Sequence, residues 1–290
     1  MKLIVKFNLV FLLIFIIGLA IAAYISRDLL QRNARDEVLQ NARIMMESAL
    51  ATRTYTSNQV RPLLETQMKY EFRPQSVPAF AATEQFNDLR KKFSDYTYKE
   101  ATLNPTNPRD RTSDWETEIV NQLRQTPDLA EIIGERETLT GRALYMARPI
   151  QIKNAACLTC HSTVEAAPKT MIELYGPANG FGWKLNEVVG AQIVSVPMAV
   201  PVKRSDDTFK VFMISLTAVF AFIFIALNLM LHYIVIWPVT RLSQIADQVS
   251  LGKLDAPEFT SKGKDEISIL AGSFTRMRTS LTQAMKMLGE

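Results

Sequence analysis

Residues 3–25 read LIVKFNLVFLLIFIIGLAIAAYI, interrupted only by Lys6 and Asn8. A helix crosses the hydrocarbon core of a bilayer with about 20 apolar residues, so this block is long enough to span. Working outward, a second block from Val211 to Trp237 contains few polar residues and meets the same test. Residues 26–208 between them are mostly polar and make a full domain against the usual size of about 100–150 residues. A short basic and then amphipathic tail follows. The sequence therefore predicts a transmembrane helix in 1–25, an extracytoplasmic domain in 26–208, a second transmembrane helix in 209–237 and a cytoplasmic module in 238–290. Lys2, Lys6 and the run Ala20-Ile21-Ala22 also suit a cleavable signal peptide. The apolar stretch exceeds the usual length of such a core, so an uncleaved anchor is expected. Lys2 and Lys6 before the first span, with Arg241 and Lys253 after the second, do not contradict an exported middle domain. The expected location is the inner membrane, with two spans in the lipid bilayer and the middle domain in the periplasm. The formal net charge is only +4, and no basic patch is interleaved with aromatics, which argues against a nucleic-acid partner.

The chain has two cysteines and they sit together in Cys157-Leu158-Thr159-Cys160-His161. C-x-x-C-H is the pattern of covalent haem c attachment. Two thiols add across the two vinyl groups of one haem, and the adjacent histidine is placed under the iron as proximal ligand. A structural zinc site wants four ligands, and the other histidine, His232, lies in the second apolar block. A thioredoxin-type C-x-x-C should open a helix after a strand, whereas Lys153-Asn154-Ala155-Ala156 and Ser162-Thr163 read as loop. A disulfide would not need the histidine. One covalent haem c per chain is the expectation.

Along the middle domain, residues 28–70 read as a long helix continuing out of the membrane. Val38, Ala42, Met45, Ala49 and Thr52 fall at helical spacing, with no Pro or Gly before Pro62. Phe86, Leu89 and Phe93 suggest a short amphipathic helix, and residues 95–103 look extended. Asn104-Pro105-Thr106-Asn107-Pro108 is loop by its turn residues. Ser113 with Glu116 makes a capping box ahead of Trp115, Ile119 and Leu123. Leu144, Met146, Arg148 and Ile150 alternate as in a strand entering the C-x-x-C-H loop, and residues 188–198 form the last strand. The pattern is α+β, with a PAS-like or Cache-like sheet behind a long N-terminal helix.

Four segments occur in order: residues 53–62 (RTYTSNQVRP), 103–108 (LNPTNP), the C-x-x-C-H, and 190–198 (GAQIVSVPM). Together they resemble the family of PAS-like c-type haem sensor domains of bacterial signalling receptors, over about residues 30–200. The resemblance implies a PAS-like fold, covalently bound haem and a redox or ligand-sensing role. It leaves the sixth iron ligand open. Between the two apolar blocks His161 is the only histidine and there is no third cysteine, so bis-histidine or histidine–cysteine ligation within one chain is excluded. The sulfur candidates are Met45, Met46, Met68, Met146, Met171 and Met198. Met45 and Met46 lead because they lie two to three turns before Arg53 and Tyr55. Each methionine is equally readable as core filler, and an open or water-bound sixth position is an equal alternative. Arg53 and Arg61 match haem propionates by the fit of guanidinium to carboxylate, or else form a solvated helix face. Tyr55 is a candidate donor to a distal ligand, with a packed core role the plainer reading.

Asn228 and His232 stand at i, i+4 inside the second block. Interhelical hydrogen bonding is the expectation, with a b-type haem or proton site as the sharper alternative. Beyond Trp237, Leu242, Ile245 and Val249 continue an apolar spacing that Gly252 and Pro257 break. Ile267, Leu270, Phe274, Met277, Leu281, Ala284 and Leu288 then alternate steps of 3 and 4 along a heptad seam. Two short helices with a Gly/Pro connector directly after a membrane span resemble a HAMP domain, which implies a parallel homodimer. The cytoplasmic residues hold no phosphate-binding loop or catalytic set and leave no room for an enzyme domain. The expected role is thus a membrane haem sensor, not an enzyme, that signals through a HAMP dimer to a separate cytoplasmic kinase, phosphatase or cyclase. The rival is a membrane-tethered c-type cytochrome carrying electrons, which gains nothing from a heptad seam.

Overall fold

A computed structural model describes residues 3–126, 128–253, 257 and 263–288. Lys2 lies outside the described residues, as does the side chain of Leu288. In chain order the elements are α1 (Leu3–Tyr55), a π-helical turn (Thr56–Val60), α2 (Arg61–Leu64), α3 (Pro78–Leu89), β1 (Thr97–Thr102), α4 (Asp114–Gln125), β2 (Ile132–Thr138), β3 (Gly141–Gln151), α5 (Leu158–His161), α6 (Lys169–Tyr175), β4 (Val188–Pro197), α7 (Ala199–Met230), a second π-helical turn (Leu231–Ile236), α8 (Trp237–Ser250) and α9 (Glu266–Leu288). They group into two compact units: Asp28–Thr208, and the two segments Met1–Arg27 and Phe209–Glu290.

The unit Asp28–Thr208 is built on a four-stranded antiparallel sheet in the order β1-β4-β3-β2. On one face Tyr98, Leu144, Met146, Val194 and Val196 meet Val38, Ala42, Met45, Met46 and Ala49 of α1 and Phe86 of α3. On the other face Ala101, Ala147, Ala191 and Ile193 meet Ile119, Val120 and Leu123 of α4. β4 is therefore buried on both faces along nearly its whole length, and it reads as a near-continuous apolar run because neither face meets water. Ser113 and Glu116 form the expected capping box at the start of α4, with Ser113 N–H donating to Glu116 Oε2 at 2.7 Å.

Three features differ from the sequence reading. The long helix ends at Leu64, not near residue 70, and its last stretch widens into the π turn Thr56–Val60. Pro62 has no N–H, and its ring would crowd the carbonyl of Asn58 four residues back, which disfavours a regular α ladder there. α3 begins at Pro78 and stops at Leu89, so Phe93 lies beyond it, and of the expected stripe only Phe86 is buried. β2 was not foreseen. It is an edge strand with Glu135 and Glu137 exposed and no apolar alternation to mark it.

Among the described residues, two helices are long and apolar enough to cross a membrane, within Ile4–Leu64 and Ala199–Ser250. Phe15 stacks on Phe220 with ring centroids 5.2 Å apart, and Gly18 lies against the same ring. Asn228 Nδ2 donates at 3.0 Å to the carbonyl of Phe224, one turn back on its own helix. A short amide in a helix can reach the preceding turn in this way; its second N–H and its Oδ1 remain able to bond a partner helix. His232 meets Tyr233 edge-on in the second π turn. On α8, Leu242, Ile245 and Val249 are buried, and Phe274 of α9 packs against Ile245 and Val249. The seam residues Leu270, Met277 and Leu281 stay exposed in the single chain.

Met46 is fully buried between α1 and the sheet. Met46→Ala should lower the stability of the detergent-solubilised chain by about 2–5 kcal/mol, and Met46→Leu by less than about 1.5 kcal/mol. Chemical denaturation followed by tryptophan fluorescence measures both. Equal losses would show that the sulfur, and not the packing volume, is what the site needs.

Candidate functional site

The C-x-x-C-H segment occupies a single helical turn. A 3-10 turn, Ala155–Cys157, leads in, with Asn154 Oδ1 accepting the N–H of Ala156 at 2.8 Å. Cys157 caps α5, so Cys157 and Cys160 stand at i, i+3 on one side of the turn. Both are free thiols and half-buried. His161 closes the helix, and its Nδ1 lies 2.8 Å from the carbonyl oxygen of Gly180. A carbonyl can only accept, so Nδ1 carries the proton and Nε2 keeps its lone pair for a metal. The ring stacks on Trp183 at 4.0 Å and 15°. Trp183 N–H donates to the carbonyl of His161 at 3.1 Å, and Gly182 N–H to that of Ser162 at 2.9 Å. Burial holds the imidazole below its ordinary pKa, and the Gly180 bond opposes the shift.

The loop after β1 fixes the carbonyl that orients His161. Asn104 Oδ1 accepts from Gly180 N–H, and Asn104 Nδ2 donates to the carbonyl of Phe181, each at 3.2 Å. One side-chain amide thus clasps the backbone on both sides of the Gly180 carbonyl. Thr106 Oγ1 approaches His161 Nδ1 at 3.4 Å. Gly180 has φ +89°, and a Cβ there would fall 2.0 Å from Thr106 Oγ1 and 2.8 Å from Thr106 Cα. Only glycine satisfies both the conformation and the close approach.

The end of α1 reaches the same region. Arg53 pairs with the buried Glu100, which accepts from Tyr98 Oη at 2.8 Å, and Gln192 Nε2 donates to Tyr98 Oη at 3.1 Å. Burial alone would lower the pKa of Arg53; Glu100 more than offsets this, with Cys157 contributing. Burial raises the Cys160 thiol, Arg61 opposes it, and Cys157 adds to the rise. The two arginines are thus within electrostatic reach of the two thiols, Arg53 already paired and Arg61 exposed. Tyr55 is 60% exposed, so it is not a core residue; it falls off the stripe of α1 that faces the sheet. Met45 and Met46 are on that stripe and pack in the helix–sheet core, whereas Cys160 clusters with Met68, Phe72 and Met171. The Met68 sulfur accepts from Arg73 N–H at 3.1 Å and Ser76 Oγ at 3.3 Å. The structure does not bring Met45 or Met46 into the cluster of Cys160.

Gly180 and Trp183 carry no sequence signal beyond the glycines around Phe181; Asn104 and Thr106 lie in the segment 103–108 that carries the resemblance, but neither has a role assigned from sequence. Among the described residues no three His, Cys, Asp or Glu side chains converge to hold a metal ion by themselves. Two thiols one turn apart, beside an imidazole whose Nε2 lone pair is free, instead suit covalent capture of a macrocycle with a metal at its centre.

Asp110 lies where this loop rejoins α4. Burial pushes its carboxyl up to about 6, against the neighbouring Arg109, with Glu100 adding to the rise.

Residues 31–197 match the Tll0287-like family, and residues 227–283 match the HAMP domain. Among solved structures, the crystal structure of the cyanobacterial heme-protein Tll0287 aligns at 16% identity over 56% of this chain and 95% of that one, with a TM-score of 0.44. A comparison with curated protein sequences finds no match.

Two outcomes follow from the geometry. Asn104→Ala leaves the Gly180 N–H and Phe181 carbonyl without their partner, a loss of about 1 kcal/mol or more. Hydrogen exchange of the peptide around residues 176–185 should quicken about fivefold or more; unchanged exchange would dissolve the clasp. For Asp110 the folded pKa exceeds the unfolded 3.8. The folded chain therefore binds more protons between pH 3.8 and about 6, and stability falls as pH rises through that window. Asp110→Asn should remove the slope and be more stable at pH 7 by on the order of 2–3 kcal/mol. Below pH 3 the two chains should unfold alike in a denaturant series.

Proposed function

The chain belongs to the Tll0287-like family and continues into a HAMP domain, and from this premise we propose that it is a membrane-anchored haem c sensor. Cys157 and Cys160 hold one haem by thioethers, and His161 is the proximal iron ligand, in a domain outside the cytoplasm. The observation that carries this reading is the bond from His161 Nδ1–H to the Gly180 carbonyl, which leaves the Nε2 lone pair for a metal on the same helical turn as two free thiols. Bound there, the group supplies a one-electron redox centre or a site for a diatomic gas. Arg61 is the candidate partner for a propionate, since Arg53 is committed to Glu100. Met45 and Met46 pack in the helix–sheet core, whereas Met68 and Met171 cluster with Cys160, so the sixth position falls to water or an exogenous ligand, or to one of these two sulfurs.

The same residues supply the relay. Arg53, Glu100, Tyr98 and Gln192 tie the end of α1 to β1 and β4. α1 is one helix with the first apolar block, and β4 is followed directly by α7. A change in packing at His161 therefore acts on the two elements that lead into the spans. The HAMP domain gives such a bias a bistable reader, a parallel homodimer that passes its state to a separate cytoplasmic signalling protein. It also favours a relay over the tethered electron carrier, for which a cytoplasmic bundle has no use.

Leu270→Cys, treated in membranes with a bismaleimide, should crosslink to itself, at rates that differ severalfold between oxidised and reduced protein. Equal crosslinking at the off-seam Thr279→Cys would show the seam to be misassigned. A rate indifferent to iron state would leave the tethered cytochrome as the better account. Absorption spectra with and without CO separate the gas from the redox signal: a shift on CO addition marks an open sixth position.

A further inference from the structure

Between the end of α3 and the start of α4, and lined by β1, β4 and Arg136 of β2, the unit Asp28–Thr208 contains a cavity of about 470 Å³. That volume is within the range of small-molecule sites, about 300–1,000 Å³. Its charged lining is uneven. Lys99 is matched by Glu116 at 2.7 Å, and Arg109 by Glu84 and by Asp110 at 3.7 Å. The two carboxylates in the lining are therefore already engaged. Arg90, just past the end of α3, and Arg136 on β2 also line the cavity, and among the described residues neither has a carboxylate partner.

The Arg136 guanidinium lies over the Trp115 ring at 4.1 Å, and Trp115 is held edge-on by Tyr145 at 5.5 Å. A guanidinium whose face is covered by an indole still presents its N–H edge, which matches a planar carboxylate with two parallel hydrogen bonds. Ile193 and Trp115 supply apolar wall for a carbon skeleton, and Ser195 a hydroxyl. Two cations on separate elements, one at the C-terminal cap of α3 and one on β2, call for two anionic groups on one ligand.

We propose that this cavity binds a small organic dicarboxylate, gripped at its two ends by Arg90 and Arg136. The site has a path to the haem region. Arg109 and Asp110 lie on the same loop as Asn104 and Thr106, which hold Gly180 and approach His161. Occupancy therefore adds a chemical input to the domain that is separate from the state of the iron.

Isothermal titration of the full chain in lipid nanodiscs with succinate, acetate and sulfate tests the assignment. Succinate should bind at least about tenfold more tightly than acetate, and sulfate should not compete. Arg90→Gln and Arg136→Gln should each weaken succinate about tenfold or more, while circular dichroism reports an unchanged fold; Arg136→Lys keeps the charge and loses only the fork. The Cys157→Ala/Cys160→Ala chain should bind succinate as before, so failure at this cavity and failure of the haem reading register separately. No succinate binding, binding indifferent to both arginines, or sulfate or acetate bound as tightly would each overturn the proposal.

Discussion

One stripe of α1, Val38, Ala42, Met45, Met46 and Ala49, lies against the sheet formed by β1, β4, β3 and β2, and the rest of the extramembrane unit depends on that contact. Burying a Val or Met side chain stabilises by about 1.5–3 kcal/mol, so the stripe fixes the helix in rotation and in depth. That placement brings Arg53 to Glu100 and sets the end of α1 near the C-x-x-C-H turn. It also explains why β4 is apolar on both sides: α1 covers one face while α4 covers the other. A helix that is both the sheet's cover and the continuation of an apolar span has little freedom to move without disturbing the sheet.

The histidine is oriented from farther away in sequence. Gly180 presents the carbonyl, Asn104 clasps the backbone around it, and Thr106 leaves no room for a side chain at that position. The three belong to two loops of unlike composition that meet only in the fold. A π turn between Tyr55 and Arg61 adds to this: it re-aims the last turns of the helix just where the two arginines approach the thiols. Such turns recur at functional sites because they rotate side chains off the regular helical stripe.

Much of this was legible in the chain itself. The two long apolar helices follow from length and composition, the C-x-x-C-H motif is five adjacent residues, β3 follows from alternation, and the last strand lies where the sequence reading put it. Ser113 and Glu116 announced the start of α4. What escaped has physical reasons. β2 is an edge strand whose exposed charges hide its period. The stop of the long helix was blurred because Pro62 acts on the carbonyl before it, through a π turn that has no sequence period of its own. Met45 and Met46 looked like ligands by their distance from Arg53 along the helix, but rotation about the helix axis decides which way a side chain faces, and it turns them to the sheet. Asn104 and Gly180 are 76 residues apart, and no local pattern joins them.

The account stands on Cys157 and Cys160 being thioether-bonded to a single haem. An intact-mass measurement on the denatured chain, produced beside a haem-attachment system that matures a control cytochrome, tests this most directly. The account predicts a mass greater than the polypeptide by one haem, and the bare polypeptide mass for Cys157→Ala/Cys160→Ala. The bare mass for the unaltered chain, with the control cytochrome fully loaded, would contradict it.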